Sequence, residues 1–376
     1  GATMLGTTLP TPLYDIYQAR WHFSAATVTV IFAVYAAAVL VALLLAGRSS
    51  DQAGRRPVLA VALGCGALST VAFILAANVG VLLVGRLLSG LSAGLMTGTA
   101  TAALTELAPV SASRRASLVA TVANMGGLGL GPLIAGLFAQ FASYPTVLVF
   151  DVYLGLLAAA GLCLLLVPET ISPRQRPSLR FTGLGIPERG RREFLAVAAA
   201  GFSAFSLLGL FTALAPTFLD TVLHERSHAV AGAVVFLLFA VGTLTQLLAS
   251  RLNSRRVVIA GLGLLLTALA LILASLAEAG MGLFLAGAVV AGMAVGAVFL
   301  GSLASANRLA PPEQRGQAVS AYFVACYCGL IIPVIGVGVA SGFIGDFGAV
   351  LALSIVLAVL CAVALGGIGS TLTARH

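Results

Sequence analysis

The sequence predicts an all-α integral membrane protein with twelve transmembrane helices in two pseudo-symmetric six-helix bundles. Three observations carry that prediction. Hydrophobic residues make up 60% of the 376 positions and charged residues 9%, which leaves no room for a soluble domain. The 20 basic residues are all arginine; 17 lie in every second connection between apolar stretches or at the termini, while Arg20 and Arg226 stand alone in the other connections. The chain also echoes itself: Arg55-Arg56-Pro57-Val58 returns 200 residues on as Arg255-Arg256-Val257-Val258, and Gly94 and Gly98 resemble Gly292 and Gly296, 198 residues on. Arginine-rich loops stay on the cytoplasmic side, so the alternation counts the spans and orients them, with both termini cytoplasmic in an inner membrane.

The first span, Gly1 to Tyr17, is short and carries Pro10-Thr11-Pro12; it begins without a basic flank, so part of this helix and its cytoplasmic lead are expected to be missing. Spans two to six are Ala25 to Leu45, Val58 to Ala76, Leu82 to Leu104, Ala116 to Phe138 and Thr146 to Val167. Most reach the ~20 residues that cross a hydrocarbon core of ~30 Å. Residues 168–193 are the only long polar segment, with six arginines, and read as a cytoplasmic linker between an N-terminal bundle at 1–167 and a C-terminal bundle at 194–376. The remaining spans are Phe194 to Thr217, Ala229 to Ser250, Val257 to Ala277, Met281 to Ala304, Ala318 to Phe343 and Phe347 to Gly367.

A net charge of +8 in a soluble chain would suggest nucleic-acid binding, but here it sits in short juxtamembrane loops where it sets topology and meets anionic lipid headgroups. Cys65, Cys163, Cys326, Cys328 and Cys361 all fall inside apolar stretches without metal-ligand spacing and read as small hydrophobes. No glycine-rich loop is followed by Lys and Ser/Thr, which excludes the common ATP-driven pump. No metal, cofactor or enzymatic activity is expected.

The connection after the second span reads Gly47-Arg48-Ser49-Ser50-Asp51-Gln52-Ala53-Gly54-Arg55-Arg56-Pro57. It resembles the signature loop of the major facilitator superfamily: glycine, any two, small, aspartate, any two, glycine, basic, basic. Arg86-Leu87-Leu88-Ser89-Gly90 with Gly94 resembles that family's fourth-helix arginine motif. Residues Gly127, Gly131, Pro132 and Gly136, in a span also holding Gly126 and Gly129, resemble its fifth-helix signature of proton-coupled antiporters, with Ala135 where glycine is usual. The second-half loop keeps Arg251, Arg255 and Arg256 but has no acid at the place of Asp51. The resemblance implies a major-facilitator-like carrier, expected to act as a monomer, that moves a small-molecule substrate by alternating access and exchanges it for protons. It also implies that Gly47, Asp51, Gly54, Arg55, Arg56 and Glu106 form a cytoplasmic gate.

The residue types support parts of this without the family. If the loop is helical, Asp51 and Arg55 share a face, and Glu106 at the end of the fourth span completes a charge network. The glycines around Pro132 clear a face for close approach of a neighbouring helix, and Pro132 frees a backbone carbonyl and permits a bend. Charges within spans are few, and each points to a cavity or a partner. Arg86 is expected to line the path and to set the protonation of Asp15 or Asp151. Phe32, Tyr35, Asn124, Phe205, Phe239, Gln246, Tyr322 and Tyr327 are candidate substrate contacts, an aromatic and sparsely polar set suited to amphipathic or hydrophobic compounds. Efflux of a sugar or amino acid, or a non-transporting receptor or scaffold on the same bundle, are the alternatives.

Overall fold

The computed structural model describes residues 1–46, 49–109, 112–170, 183–187, 190–221, 223–311 and 314–369, which are helical apart from short connections. Two compact units emerge, one made of Gly1–Thr182 with Ser227–Phe236, the other of Gly183–Arg226 with Leu237–His376. Of the polar segment 168–193, the described residues 168–170 belong to the first unit and 183–187 and 190–193 to the second.

The first unit opens with α1 (Ala2–Thr8), a 3-10 turn (Thr11–Leu13) and α2 (Tyr14–Trp21). The sequence reading took this stretch as a single short span ending at Tyr17. It is instead a broken helix that runs on to Trp21, because Pro10 and Pro12 lack the N–H groups that would bond the carbonyls of Gly6 and Thr8. Then follow α3 (Ala25–Ala46), α4 (Ser49–Ala53), α5 (Arg55–Ile74), α6 (Val79–Leu107), α7 (Ser113–Phe141) and α8 (Pro145–Leu166). At 29 residues α6 and α7 are each about 43 Å long at 1.5 Å per residue, so their ends pass beyond a ~30 Å core. Glu106 sits on such an end.

The second unit holds α9 (Arg191–Gly209), continued by a π-turn (Leu210–Leu214) into α10 (Ala215–Thr221). Pro216 explains the wider turn: it offers no N–H to the carbonyl of Thr212, and the ladder is reset ahead of it. Next come α11 (His228–Ala249), whose turns up to Phe236 belong to the first unit, α12 (Ser254–Glu278) and α13 (Met281–Leu309). The last two expected spans form one continuous run, α14 (Arg315–Gly369), turned at Gly345, whose φ of 71° suits glycine. Among the described residues ten helices are long and apolar enough to cross a membrane. Dividing α14 at Gly345 and adding the broken α1–α2 gives twelve passes.

Small residues set the packing within each unit. A Cβ on Gly90 would strike the carbonyl of Tyr35 on α3, and one on Gly94 would lie 2.5 Å from Ala42 Cβ. In the second unit Gly292 and Gly296 meet α11 in the same manner, at the carbonyls of Leu238 and Gly242. The internal echo is therefore in a register four residues from the one read in the sequence: Gly90 and Gly94 match Gly292 and Gly296, while Gly98 faces open space. The register was hard to read because α6 has glycine at 90, 94 and 98 alike.

Gly94→Val should accordingly destabilise the protein by about 1–3 kcal/mol through overpacking, seen as a lowered thermal unfolding midpoint in detergent. Gly98→Val, one turn along the same helix, should leave that midpoint unchanged.

Candidate functional site

A charge cluster gathers where α5 begins. Gly47 and Arg48 lie outside the described residues, as does the side chain of Asp51, whose backbone is in α4. Asp51 and Arg55 do not share one helix: α4 ends at Ala53, Gly54 takes φ 99° and ψ 157°, and α5 starts afresh at Arg55. That break removes the same-face spacing of an unbroken helix. Arg55 is 8% exposed, and its guanidinium grips Glu106 with two bonds, Nε to Oε2 at 3.2 Å and Nη2 to Oε1 at 2.7 Å. Nη1 donates to Ser50 Oγ at 2.6 Å, and Thr170 Oγ1 donates to Glu106 Oε2 at 2.6 Å. Two-pronged pairing of this kind fixes orientation as well as charge.

Glu169 completes the cluster, and it was not singled out in the sequence. Its carboxylate accepts the backbone N–H groups of Arg55 at 2.8 Å and Arg56 at 3.0 Å, the first donors of α5, and that of Thr170 at 3.0 Å. Helix-start N–H groups have no partner inside the helix, and a carboxylate there also meets the positive end of the dipole. Gly54 is tied to this arrangement twice, since a Cβ would sit 2.7 Å from Glu169 Oε2 and its φ is positive. Arg56 Nη2 bonds the Leu165 carbonyl at 3.1 Å, at the end of α8. The second unit solves the same problem locally, with Asn253 Oδ1 accepting from Arg255 N at 3.0 Å and Arg256 N at 3.4 Å. The readable signal for Glu169 was that Ala53-Gly54 stands where the second half has Asn253-Ser254, so the first half lacks a capping side chain of its own.

Arg86 lies deep in the first unit, on α6, with no exposed surface. It does not reach out to an interface. Nη1 donates to the Thr7 carbonyl at 2.5 Å in the last turn of α1, and Nε donates to the Tyr14 hydroxyl at the start of α2. The rings of Tyr14, Tyr35 and Phe73 surround it with centroids 5.2, 5.5 and 5.9 Å from Cζ. The guanidinium thus braces the proline break from the side. Neither acid paired with it in the sequence reading touches it: Asp15 is half-buried in the first turn of α2, and Asp151 is exposed on α8.

The glycines of α7 serve two neighbours. Gly127 and Gly131 admit α1, a Cβ on Gly127 lying 2.5 Å from the Gly1 carbonyl oxygen and one on Gly131 colliding with the Leu5 carbonyl. Pro132 withholds the donor that would bond the Leu128 carbonyl, and Thr8 Oγ1 supplies it at 2.7 Å. On the other side Gly136 meets the carbonyl of His228, and Gly232 meets that of Pro132, so the first turns of α11 pack on the proline. Gln140 Oε1 accepts the His228 N–H at 3.2 Å.

The candidate contact residues divide by unit. Phe32 and Tyr35 on α3 are buried with rings 6.2 Å apart, and Asn124 on α7 is half-buried. In the second unit Phe205 lies 5.8 Å from both Phe299 and the half-buried Tyr327, with Phe323 6.3 Å from Phe299. Phe299 was missed in the sequence, where nothing distinguishes it from lipid-facing phenylalanines. Tyr322 is fully buried with its hydroxyl 2.6 Å from Ser302 Oγ. Phe239 and Gln246 on α11 are buried. Among the described residues no group of His, Cys, Asp and Glu is arranged to hold a metal.

Two measurements check this geometry. Thr8→Val should cost about 1 kcal/mol of stability in the parent protein and close to nothing in a Pro132→Ala background, where the Leu128 carbonyl regains its own donor. Glu169→Gln should lower the unfolding midpoint by an amount equivalent to about 1–2 kcal/mol, whereas a further Ala53→Asn, by analogy with Asn253, should restore part of it.

Comparison with known proteins agrees with this architecture. The family model for the Major Facilitator Superfamily matches residues 1–333 and 194–373. The uncharacterised MFS-type transporter Rv1250 of Mycobacterium tuberculosis is 26% identical over 197 residues, 52% of this chain and 33% of that protein. MdtD of Salmonella paratyphi B, whose name assigns it provisionally to multidrug resistance, is 23% identical over 234 residues, 60% of this chain and 47% of its own. The matched part thus spans less than half the length of these relatives. Among solved structures, an inward-facing bacterial homologue of the human lysosomal transporter Spinster superposes with a TM-score of 0.78 at 16% identity, covering 99% of this chain and 95% of that one. The human organic anion transporter MFSD10 gives a TM-score of 0.67 at 19% identity, covering 96% of each chain. With the family model matching nearly the whole chain and helices laid out as in solved carriers of this fold, the protein belongs to the major facilitator superfamily.

Proposed function

We propose that the protein exports small amphipathic or hydrophobic compounds across the inner membrane in exchange for protons, by alternating access, with its arginine-rich loops and both termini in the cytoplasm. The observation that carries this reading is α7. Its Gly/Pro stretch has the antiporter-like sequence, and it contacts α1 on one face and the first turns of α11 on another, both through glycines. Smooth faces of this kind let helices shift against one another with little loss of packing. The scarcity of intramembrane charge suits compounds recognised by area and a few hydrogen bonds. Multidrug resistance in the name of MdtD points the same way. In this reading the Arg55, Glu106 and Glu169 cluster, with Asp51 nearby in sequence, latches the cytoplasmic side, and Asp15, next to the Tyr14 that holds Arg86, is the coupling carboxylate.

Proteoliposomes with an imposed proton gradient, offered neutral drugs, lipophilic cations and sugars, test the reading. Substrate-dependent proton movement is expected with amphipathic compounds and not with sugars. Asp15→Asn should abolish proton movement while leaving substrate binding, and Asp151→Asn should change neither. Sugar-driven proton flux would replace this reading with sugar export, and absence of any gradient-driven movement would return the receptor or scaffold alternative.

A further inference from the structure

Of the described residues only two charged side chains are buried, Arg55 and Arg86. Arg55 is neutralised by Glu106. Arg86 has a carbonyl, a phenol and three ring faces around it, but no anion, and its Nη2 makes no hydrogen bond. Two further buried polar atoms without partners belong to the same neighbourhood. Thr11 Oγ1 lies on the turn between Thr7 and Tyr14, the two residues that hold the guanidinium, and Tyr17 follows Tyr14 by three residues on the same face of α2. Ring faces ease the desolvation of a cation without neutralising it, and a charge taken out of water calls for a counter-charge. One cation with spare N–H groups and two free hydroxyls make a donor set without an acceptor to fill it.

We propose that Arg86 Nη2, Thr11 Oγ1 and Tyr17 Oη form a binding site for the carboxylate of an amphipathic organic anion. A carboxylate brings one charge to match one guanidinium and two oxygens able to accept about four hydrogen bonds, whereas a phosphate dianion would leave a charge uncompensated. The opposite preference, for lipophilic cations, finds no support among the described residues, none of which is a buried acid. Entry is through the break between α1 and α2. The turn at 11–13 has two backbone bonds of its own, from Leu13 N to the Pro10 carbonyl at 3.1 Å and from Tyr14 N to the Thr11 carbonyl, so little backbone bonding opposes its displacement. The inference rests on the export reading and narrows its substrates to organic monoanions.

The sole tryptophan reports on the site, since Trp21 stacks on Tyr17 with centroids 5.1 Å apart. The full chain in lipid nanodiscs is titrated with phenylacetate, phenylacetamide, benzyltrimethylammonium and sodium phosphate, followed by Trp21 fluorescence and calorimetry. Saturable binding of phenylacetate is expected, with the other three weaker by about tenfold or more and Arg86→Gln weakening phenylacetate by at least about tenfold. Tyr17→Phe, which keeps the ring against Trp21, should weaken it about threefold or more and decides the matter if Arg86→Gln does not fold. No saturable phenylacetate binding, equal binding of the amide, the cation or phosphate, or affinity unchanged in Tyr17→Phe and in any folded Arg86→Gln would overturn the inference. Proton-driven export of neutral compounds that persists alongside such a result would show that the export reading stands without it.

Discussion

A backbone carbonyl released by proline inside an apolar bundle has no water to turn to, and each such carbonyl left without a donor costs energy the fold must recover elsewhere. This constraint organises the first unit. Pro132 releases the Leu128 carbonyl and Thr8 of α1 supplies a hydroxyl to it; Pro10 and Pro12 break the first span, and Arg86 of α6 bonds the Thr7 carbonyl just ahead of the break. The two contacts cross: α1 mends α7, and α6 braces the end of α1 at the Thr7 carbonyl, between the two that Pro10 and Pro12 release. Glycines make both possible by letting the backbones approach. The proline break, the buried guanidinium and the glycine face of α7 are therefore parts of one solution and not three separate motifs.

The two units share a plan and differ in how they finish it. In both, a small-residue face on a long helix, α6 or α13, lets a neighbour, α3 or α11, come to carbonyl contact. Both carry, in the first turn of α5 or α12, paired arginines whose N–H groups need an acceptor. Asn253 satisfies them from the adjacent position, whereas Glu169 reaches back across 114 residues. Arg55 pairs with Glu106 on the end of α6, and Arg308 on the end of α13 pairs with Glu193 at the start of α9 at 3.4 Å. The first unit thus concentrates its charges around α5, and the second spreads them. In the interior the contrast is sharper: a lone cation in one unit, aromatic rings and hydroxyls in the other.

What was legible in the sequence followed from solvent. Spans and their ends can be read because hydrocarbon excludes charge, and the arginine bias reflects the same exclusion. Contacts between distant residues obey no such one-dimensional rule. Spacing put Arg55 and Asp51 on one helix, yet α4 ends before a positive φ at Gly54 and α5 starts afresh, and only the missing cap in Ala53-Gly54 hinted at Glu169. Arg86 was visible as an intramembrane charge; that it meets Thr7 and Tyr14 instead of an acid depends on where the proline break falls against α6. The Gly90 and Gly94 register was hidden among glycines of equal spacing, because which face of α6 meets α3 is settled by packing.

The long reach of Glu169 also has a consequence in time. A chain is made from its N-terminus, so the start of α5 is synthesised and enters the bilayer more than a hundred residues before its acceptor exists; at about 5–20 residues per second that interval is on the order of ten seconds. Over that period Arg55 and Arg56 N–H groups must be served by water or headgroup oxygens, which holds the end of α5 at the membrane surface. The start of α12 has no such wait, since Asn253 is made immediately before it. The first bundle therefore remains unlatched until its sixth span has left the ribosome, while the matching corner of the second closes as it is made.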